Sequence, residues 1–200
     1  MMLPMDAHRA GTDELADLAT TLAGAFRDDP VWSWVFVDRG TRERHLAEVW
    51  MLLLEGAVDY RWVWSTHGAG AVTVWIPPGL PELPEPHAAR IGPLFQELLG
   101  DDVTRAEEIE AQFALARPTA PDHYYLSLFG THPDHRGHGT GMALLAENLA
   151  LVDAEHRPAY LESTNPANLA RYRSVGFVER DRFALAGGGP VVTTMWRDAR

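Results

Sequence analysis

Three glycines at alternate positions, Gly137, Gly139 and Gly141, follow Arg136 and separate the β-rich run Tyr124-Tyr125-Leu126-Ser127-Leu128-Phe129 from the amphipathic start Met142-Ala143-Leu144-Leu145. Glycine lets a chain turn tightly and lets a ligand approach its N–H groups. The amides and dipole at a helix N-terminus attract anions. The chemistry this spacing offers is anion binding by backbone, and a pyrophosphate suits it. The spacing G-x-G-x-G departs from the G-x-G-x-x-G of dinucleotide sites. His132, His135 and His138 recur every three residues, yet they surround Pro133 and Gly137 instead of sharing a helix face, and no carboxylate motif accompanies them. No metal is expected there. A turn whose glycines serve geometry alone is the plain alternative.

Composition narrows the remaining chemistry. The chain has 200 residues with 17 basic and 28 acidic side chains, a net charge of −11. Every basic residue is Arg; Lys and Cys are both absent. That excludes disulfides, thiolate zinc, a Cys nucleophile, a Schiff-base Lys and a Walker-type phosphate loop. The charge argues against a broad nucleic-acid surface. The longest apolar run, Val49 to Leu54, is far short of a membrane span, which needs roughly 18 residues. Met1 to Arg9 lacks the basic flank and apolar core of a secretory signal, so a cytoplasmic location is the expectation. At 46% hydrophobic and 22% charged the chain should fold as a globule, and no internal repeat or second domain is evident.

The elements that must position these residues follow from periodicity. A short strand is expected near Leu3 to His8, then a helix capped by Thr12 with Leu15, Leu18, Ala19, Leu22 and Phe26 on one face. Asp29-Pro30 breaks it. Thr41 should cap a second helix with Leu46, Val49, Trp50, Leu53 and Leu54 buried. Tyr60 to Ser65 and Ala71 to Ile76 read as a hairpin. A Pro-rich stretch follows, a lid, an acceptor-site wall or a connector, then helical material from about Ile91 to Ala116. The pattern continues with a strand at His123 to Phe129, a helix at Gly139 to Ala154 and a strand at Ala159 to Ser163. A short helix at Ala167 to Ser174 and strands at Phe177 to Leu185 and Val191 to Trp196 complete it. Trp32, Trp34, Trp50, Trp62, Trp64 and Trp75 are core, interface or aromatic-pocket material.

The pattern R-G-x-G-x-G after a strand resembles the acetyl-CoA pyrophosphate loop of the GNAT N-acetyltransferase superfamily. Tyr160-Leu161-Glu162-Ser163-Thr164-Asn165-Pro166-Ala167-Asn168-Leu169-Ala170-Arg171-Tyr172-Arg173-Ser174-Val175-Gly176-Phe177 is similar to that family's later strand, Asn-bearing turn, Tyr-bearing helix and Gly-Phe end. Upstream, Ala71-Val72-Thr73-Val74-Trp75, Ile91-Gly92-Pro93 with Leu98, and Ala25-Phe26 with Asp29-Pro30 are similar to the puromycin N-acetyltransferase branch. The resemblance implies one α/β domain over residues 1–200, with a mixed, mostly antiparallel sheet flanked by helices and splayed around the CoA site. Residues 1–120 would form the acceptor side and 121–200 the acetyl-CoA side. It implies an enzyme that transfers acetyl from acetyl-CoA to a primary amine of a small molecule, antibiotic-like amines among the candidates, by direct attack in a ternary complex. A peptide or protein acceptor, or a non-catalytic acyl-CoA sensor, are the alternatives; the protein would be a monomer or homodimer.

By the same resemblance, the backbone of Phe129, Gly130 and Thr131 would hold pantetheine, and the amides of Arg136, Gly137, His138, Gly139, Thr140 and Gly141 the pyrophosphate. The Arg136 side chain either meets a phosphate or packs locally. Asn168 would bond the pantetheine arm or serve a turn. Tyr172 would hydrogen-bond the departing CoA thiolate; complete proton donation from a tyrosine to a thiolate is uphill by roughly 2 kcal/mol at ordinary pKa values. An ammonium has no lone pair, so the acceptor must lose a proton. Glu162, which interrupts the apolar run Ala159-Tyr160-Leu161, is the first candidate base. Ser127 orienting a water, His123 and His67 are the alternatives. An amide between Phe129 and Thr131 is placed to polarise the thioester carbonyl.

Overall fold

The computed structural model describes residues 7–200. The elements run β1 (His8–Arg9), α1 (Leu15–Phe26), α2 (Pro30–Val35), α3 (Arg42–Ala57), β2 (Val63–Ser65), β3 (Ala71–Ile76), α4 (Ala88–Leu99) and α5 (Thr104–Ala116). They continue with β4 (Tyr124–Thr131), α6 (Thr140–Ala154), β5 (Ala159–Ser163), α7 (Leu169–Ser174), β6 (Val178–Ala184) and β7 (Val191–Arg197). Among the described residues the strands form one sheet in the order β1-β2-β3-β4-β5-β7-β6, and every neighbouring pair is antiparallel except β4 with β5.

Local chemistry departs from the sequence expectation at three helix starts. Thr12 does not cap α1; Glu14 stands at that position, and its carboxylate accepts from the Gly11 amide at 2.8 Å and pairs with His8. Asp29-Pro30 ends α1 as expected but also begins α2, because Pro at a first helical position loses no hydrogen bond and Asp29 Oδ1 accepts from the Val31 and Trp32 amides. Thr41 precedes α3 without a capping bond; its hydroxyl donates to Asp38 instead. The expected first strand is partly observable as β1, since positions 3–6 lie outside the described residues. The hairpin forms, with its first strand shortened to β2. The long helical region splits into α4 and α5 around Gly100, whose φ of 55° does not continue a helix.

Two cores sandwich the sheet. One packs α1 to α5 against Val72, Val74, Tyr125, Leu128 and Tyr160; the other packs α6 and α7 against Trp75, Tyr124, Leu126 and Leu161. Leu126 and Leu128 should share a face in a regular strand, because side chains alternate with period two. They lie in opposite cores. The register explains it: Trp75 pairs with Leu126 and Val74 with Leu128, leaving Ser127 as an extra residue in β4. Such a bulge re-aims a side chain and bends its strand, and it is where β4 turns away from β5.

Candidate active site

β4 and β5 pair only at Tyr124 with Ala159 and Tyr125 with Tyr160. Beyond those positions the two strands diverge, and two cavities occupy the opening. The larger, about 530 Å³, is lined by Phe129 to Thr131, Gly137, Gly139 to Gly141, Asn165 and the α1 to α2 junction. The smaller, about 310 Å³, lies among α3, α4, α5, Ser127 and Glu162. Phe129, Asn168 and Tyr172 line both. The two cavities therefore adjoin, with those three residues in the boundary between them.

The glycine turn is shaped for backbone exposure. Gly137 and Gly139 have φ of 84° and 79°, a region costly for other L-residues, and α6 begins directly after, so its first amides face the larger cavity. Gly141 is small for a different reason: a Cβ there would lie 2.2 Å from Thr131 Oγ1 and 3.2 Å from the Phe129 ring. Gly130 is small for a similar reason: a Cβ there would lie 2.8 Å from Ala25 Cβ and 3.0 Å from Leu22 Cδ2 of α1. The Arg136 side chain packs locally, donating to the Gly24 and Ala25 carbonyls at the end of α1 at 3.3 and 3.1 Å. His138 is exposed and does not line the cavity, whereas His135 does. Among the described residues no three His, Asp or Glu side chains converge as a metal site, and no helix is long and apolar enough to cross a membrane.

α7 sets Asn168 and Tyr172 at the junction. Asn165, not Asn168, caps the local turn, accepting from the Ala167 amide at 3.0 Å. Asn168 Oδ1 accepts from Arg171 Nη1 at 2.6 Å. Tyr172 is buried, its ring 6.3 Å from Phe129 and 6.1 Å from Phe177. Burial pushes its phenol pKa well up, the Asp29 carboxylate adds to that, and Arg171 opposes it. Asp29 itself is buried beside the larger cavity, where Thr164 Oγ1 donates to it at 2.7 Å. It ties the start of α2 to the chain leaving β5.

Glu162 shares the Tyr160 face of β5 by strand alternation, and its side chain is 1% exposed. Burial pushes its carboxyl up to about 7, with Glu82 adding to the shift and the Arg117 guanidinium and the Tyr125 and Tyr160 hydroxyls opposing it. Arg117, at the end of α5, donates to Glu82 at 2.8 Å and lies 3.8 Å over the Tyr125 ring. Glu82 also accepts from the bulged Ser127. Phe26, Trp32, Trp50, Phe95 and Phe113 supply aromatic wall. His67 sits in the hairpin turn and His123 packs on Tyr160 and Trp196; neither lines either of these two cavities. Sequence reading missed Arg117, Glu82, Glu110 and Thr164. None of the four carried a local signal; Asp29 did, as an Asp directly before a Pro, and it was read as a helix break and not as a residue beside the site.

No family model matches the chain. Solved structures do. A Corynebacterium glutamicum structure described as histone acetyltransferase HPA2 and related acetyltransferase aligns over 99% of this chain and 98% of its own, at 19% identity and a TM-score of 0.70. Arylalkylamine N-acetyltransferase 2 from Aedes aegypti aligns over 99% and 100%, at 12% identity and 0.67. The fold is that of the GNAT acetyltransferases. A Drosophila melanogaster polyamine N-acetyltransferase with the same GNAT fold covers 97% of this chain and 99% of its own, at 13% identity and 0.60.

Proposed function

We propose that the protein is an acetyl-CoA-dependent N-acetyltransferase of a small-molecule amine. The observation that carries this reading is the pair of adjoining cavities where β4 and β5 splay, one lined by the glycine turn, the other holding a buried carboxyl, with Tyr172 lining both. The GNAT-fold structures named for arylalkylamine and polyamine acetylation support the same substrate class. The larger cavity fits the donor: unpaired amides at the start of α6 take the pyrophosphate, and the open edge of β4 from Phe129 to Thr131 lies alongside the pantetheine. Asn168 reaches the same arm if it releases Arg171. Bound there, the donor supplies an activated acetyl group.

Each remaining task falls to a side chain of the chain. The acceptor amine enters the smaller cavity as an ammonium and gives a proton to Glu162. With Glu162 near 7 and an alkyl ammonium near 10, that transfer is uphill by about 4 kcal/mol; an unshifted carboxylate would make it steeper by about 3 kcal/mol more. The amine nitrogen then bonds the acetyl carbon as the carbon–sulfur bond breaks, and the nitrogen gives its second proton to water as the neutral amide forms. Tyr172 donates a hydrogen bond to the departing sulfur. Because burial raises the phenol further above a thiol, the proton stays on Tyr172 and the thiolate is protonated from solvent on release. On this reading residues 1–120 supply much of the acceptor wall and 121–200 most of the donor side; Ala25, Asp28 and Asp29 line the donor cavity, and Ser127, Glu162 and other residues of β4 and β5 line the acceptor cavity.

The finer resemblance to puromycin N-acetyltransferases rests on sequence alone and makes aminated antibiotics worth testing as acceptors. The experiment is thiol release from acetyl-CoA across an amine library. Release only with an added small amine supports the reading; CoA binding without turnover on any amine favours a sensor, and turnover confined to peptides favours a peptide acceptor.

A further inference from the structure

The smaller cavity is lined by three carboxyl groups, those of Glu82, Glu110 and Glu162, of which only Glu82 is hydrogen-bonded to a cation. α5 turns Ile109, Glu110, Phe113 and Ala114 toward it, the spacing of one helical face, and Arg117, just past the end of α5, lines it as well. Arg117 is matched by Glu82 and stacked on Tyr125. Glu110 is unmatched. It is exposed where it lines the cavity, accepts no hydrogen bond and has no cation within ion-pair distance among the described residues; the charges that bear on it, Glu82 and Glu107, have its own sign. A second carboxyl, that of Glu162, lies deep in the same cavity with its Oε1 buried and without a hydrogen-bond partner. Phe113 and Ala114, one turn beyond Glu110, add apolar wall to that of Leu53, Ile91 and Phe95.

A cavity with a buried carboxyl at depth, apolar walls and an uncompensated carboxylate at its mouth complements a molecule with two cationic ends joined by an apolar body. We propose that Glu110 is a second-cation subsite: the acceptor carries, besides the amine that is acetylated, a distal quaternary or protonated amine that pairs with Glu110. This rests on the acetyl-transfer reading and adds to it the determinant of substrate choice. Glu110 acts on the far end of the acceptor and takes no part in proton transfer, so its effect falls on the preference between acceptors.

The test uses acceptors with a single acetylatable amine each: ω-aminoalkyl trimethylammonium ions against n-alkylamines of matched length, over a short series of chain lengths, with thiol release as the readout. At the best length kcat/KM for the dication should exceed that of the monoamine by about fivefold, the scale of a partly exposed ion pair, and the advantage should shrink as KCl is added. In Glu110→Gln the ratio should fall to about one, and in Glu110→Lys below one. Equal efficiencies in the wild type, or an advantage that survives Glu110→Gln, overturn the subsite and leave acetyl transfer standing. Absence of thiol release with every amine overturns acetyl transfer, and the subsite with it.

Discussion

Arg117 Nε lies 4.0 Å from Glu162 Oε1, and neither atom has a hydrogen-bond partner although both are buried. The guanidinium stays near the carboxyl without bonding it because Glu82 and the Tyr125 ring hold it from other sides. A direct bond would pull Glu162 toward an ordinary acid; this offset leaves burial as the dominant influence.

Replacing Arg117 by Met should raise the carboxyl above about 7, since Arg117 opposes the shift and Glu82, freed of its partner, adds to it. The acidic limb of the kcat/KM profile should move to higher pH, so the variant loses most at pH 7 and recovers in part above pH 8. A limb unmoved or displaced to lower pH would show that Arg117 does not act through Glu162.

Glu162 should weaken the fold at neutral pH. Its folded value near 7 lies above the usual 4.5, so the native state holds its proton more tightly and this group's contribution is most favourable below pH 4.5. As pH rises to 7 about 3 kcal/mol is lost. Glu162→Gln should therefore match the wild type more closely at pH 4 and gain on it steadily to pH 8 in thermal melts, while activity drops on the order of 10²-fold or more and the acidic limb disappears. A stability difference that does not vary with pH would falsify the buried-base assignment.

Glu162 was legible in sequence because strand alternation and a single acidic interruption are local signals; the glycine turn was legible for the same reason. Arg117 and Glu82 were not, since their pairing depends on the Pro-rich segment and the end of α5 converging across 35 residues of chain. The bulge was hidden too. Leu126-Ser127-Leu128 reads as plain alternation, and only the pairing with Val74 and Trp75 reveals that its two leucines face opposite cores. At α1, Thr12 was an acceptable cap by type, but contacts of Glu14 with Gly11 and His8 decided the start.

Tyr172→Phe keeps the ring between Phe129 and Phe177 and removes only the hydroxyl. If that hydroxyl stabilises the departing sulfur, kcat should fall about 10²-fold, the loss typical of one preorganised donor, with the KM for acetyl-CoA changed less than threefold. An acyl donor with a more acidic thiol leaving group should be hurt less by the substitution. Unchanged kcat would assign Tyr172 to packing alone.

Gly141 is where the nest depends on contact more than on charge. A Cβ at this position meets Thr131 Oγ1 at 2.2 Å and the Phe129 ring at 3.2 Å, so Gly141→Ala must displace either β4 or the first turn of α6. Overpacking of this kind costs about 1 to 3 kcal/mol, and the displaced amides should weaken CoA binding at least tenfold. Because the closest clash is with a single hydroxyl, Thr131→Ala added to Gly141→Ala should recover part of both losses, a coupling expected only for residues in contact. Calorimetric titration with CoA and thermal melts of the two single variants and the double variant measure it. Strict additivity would show that α6 absorbs the methyl by moving elsewhere, and that the Thr131 contact does not fix the position of the nest.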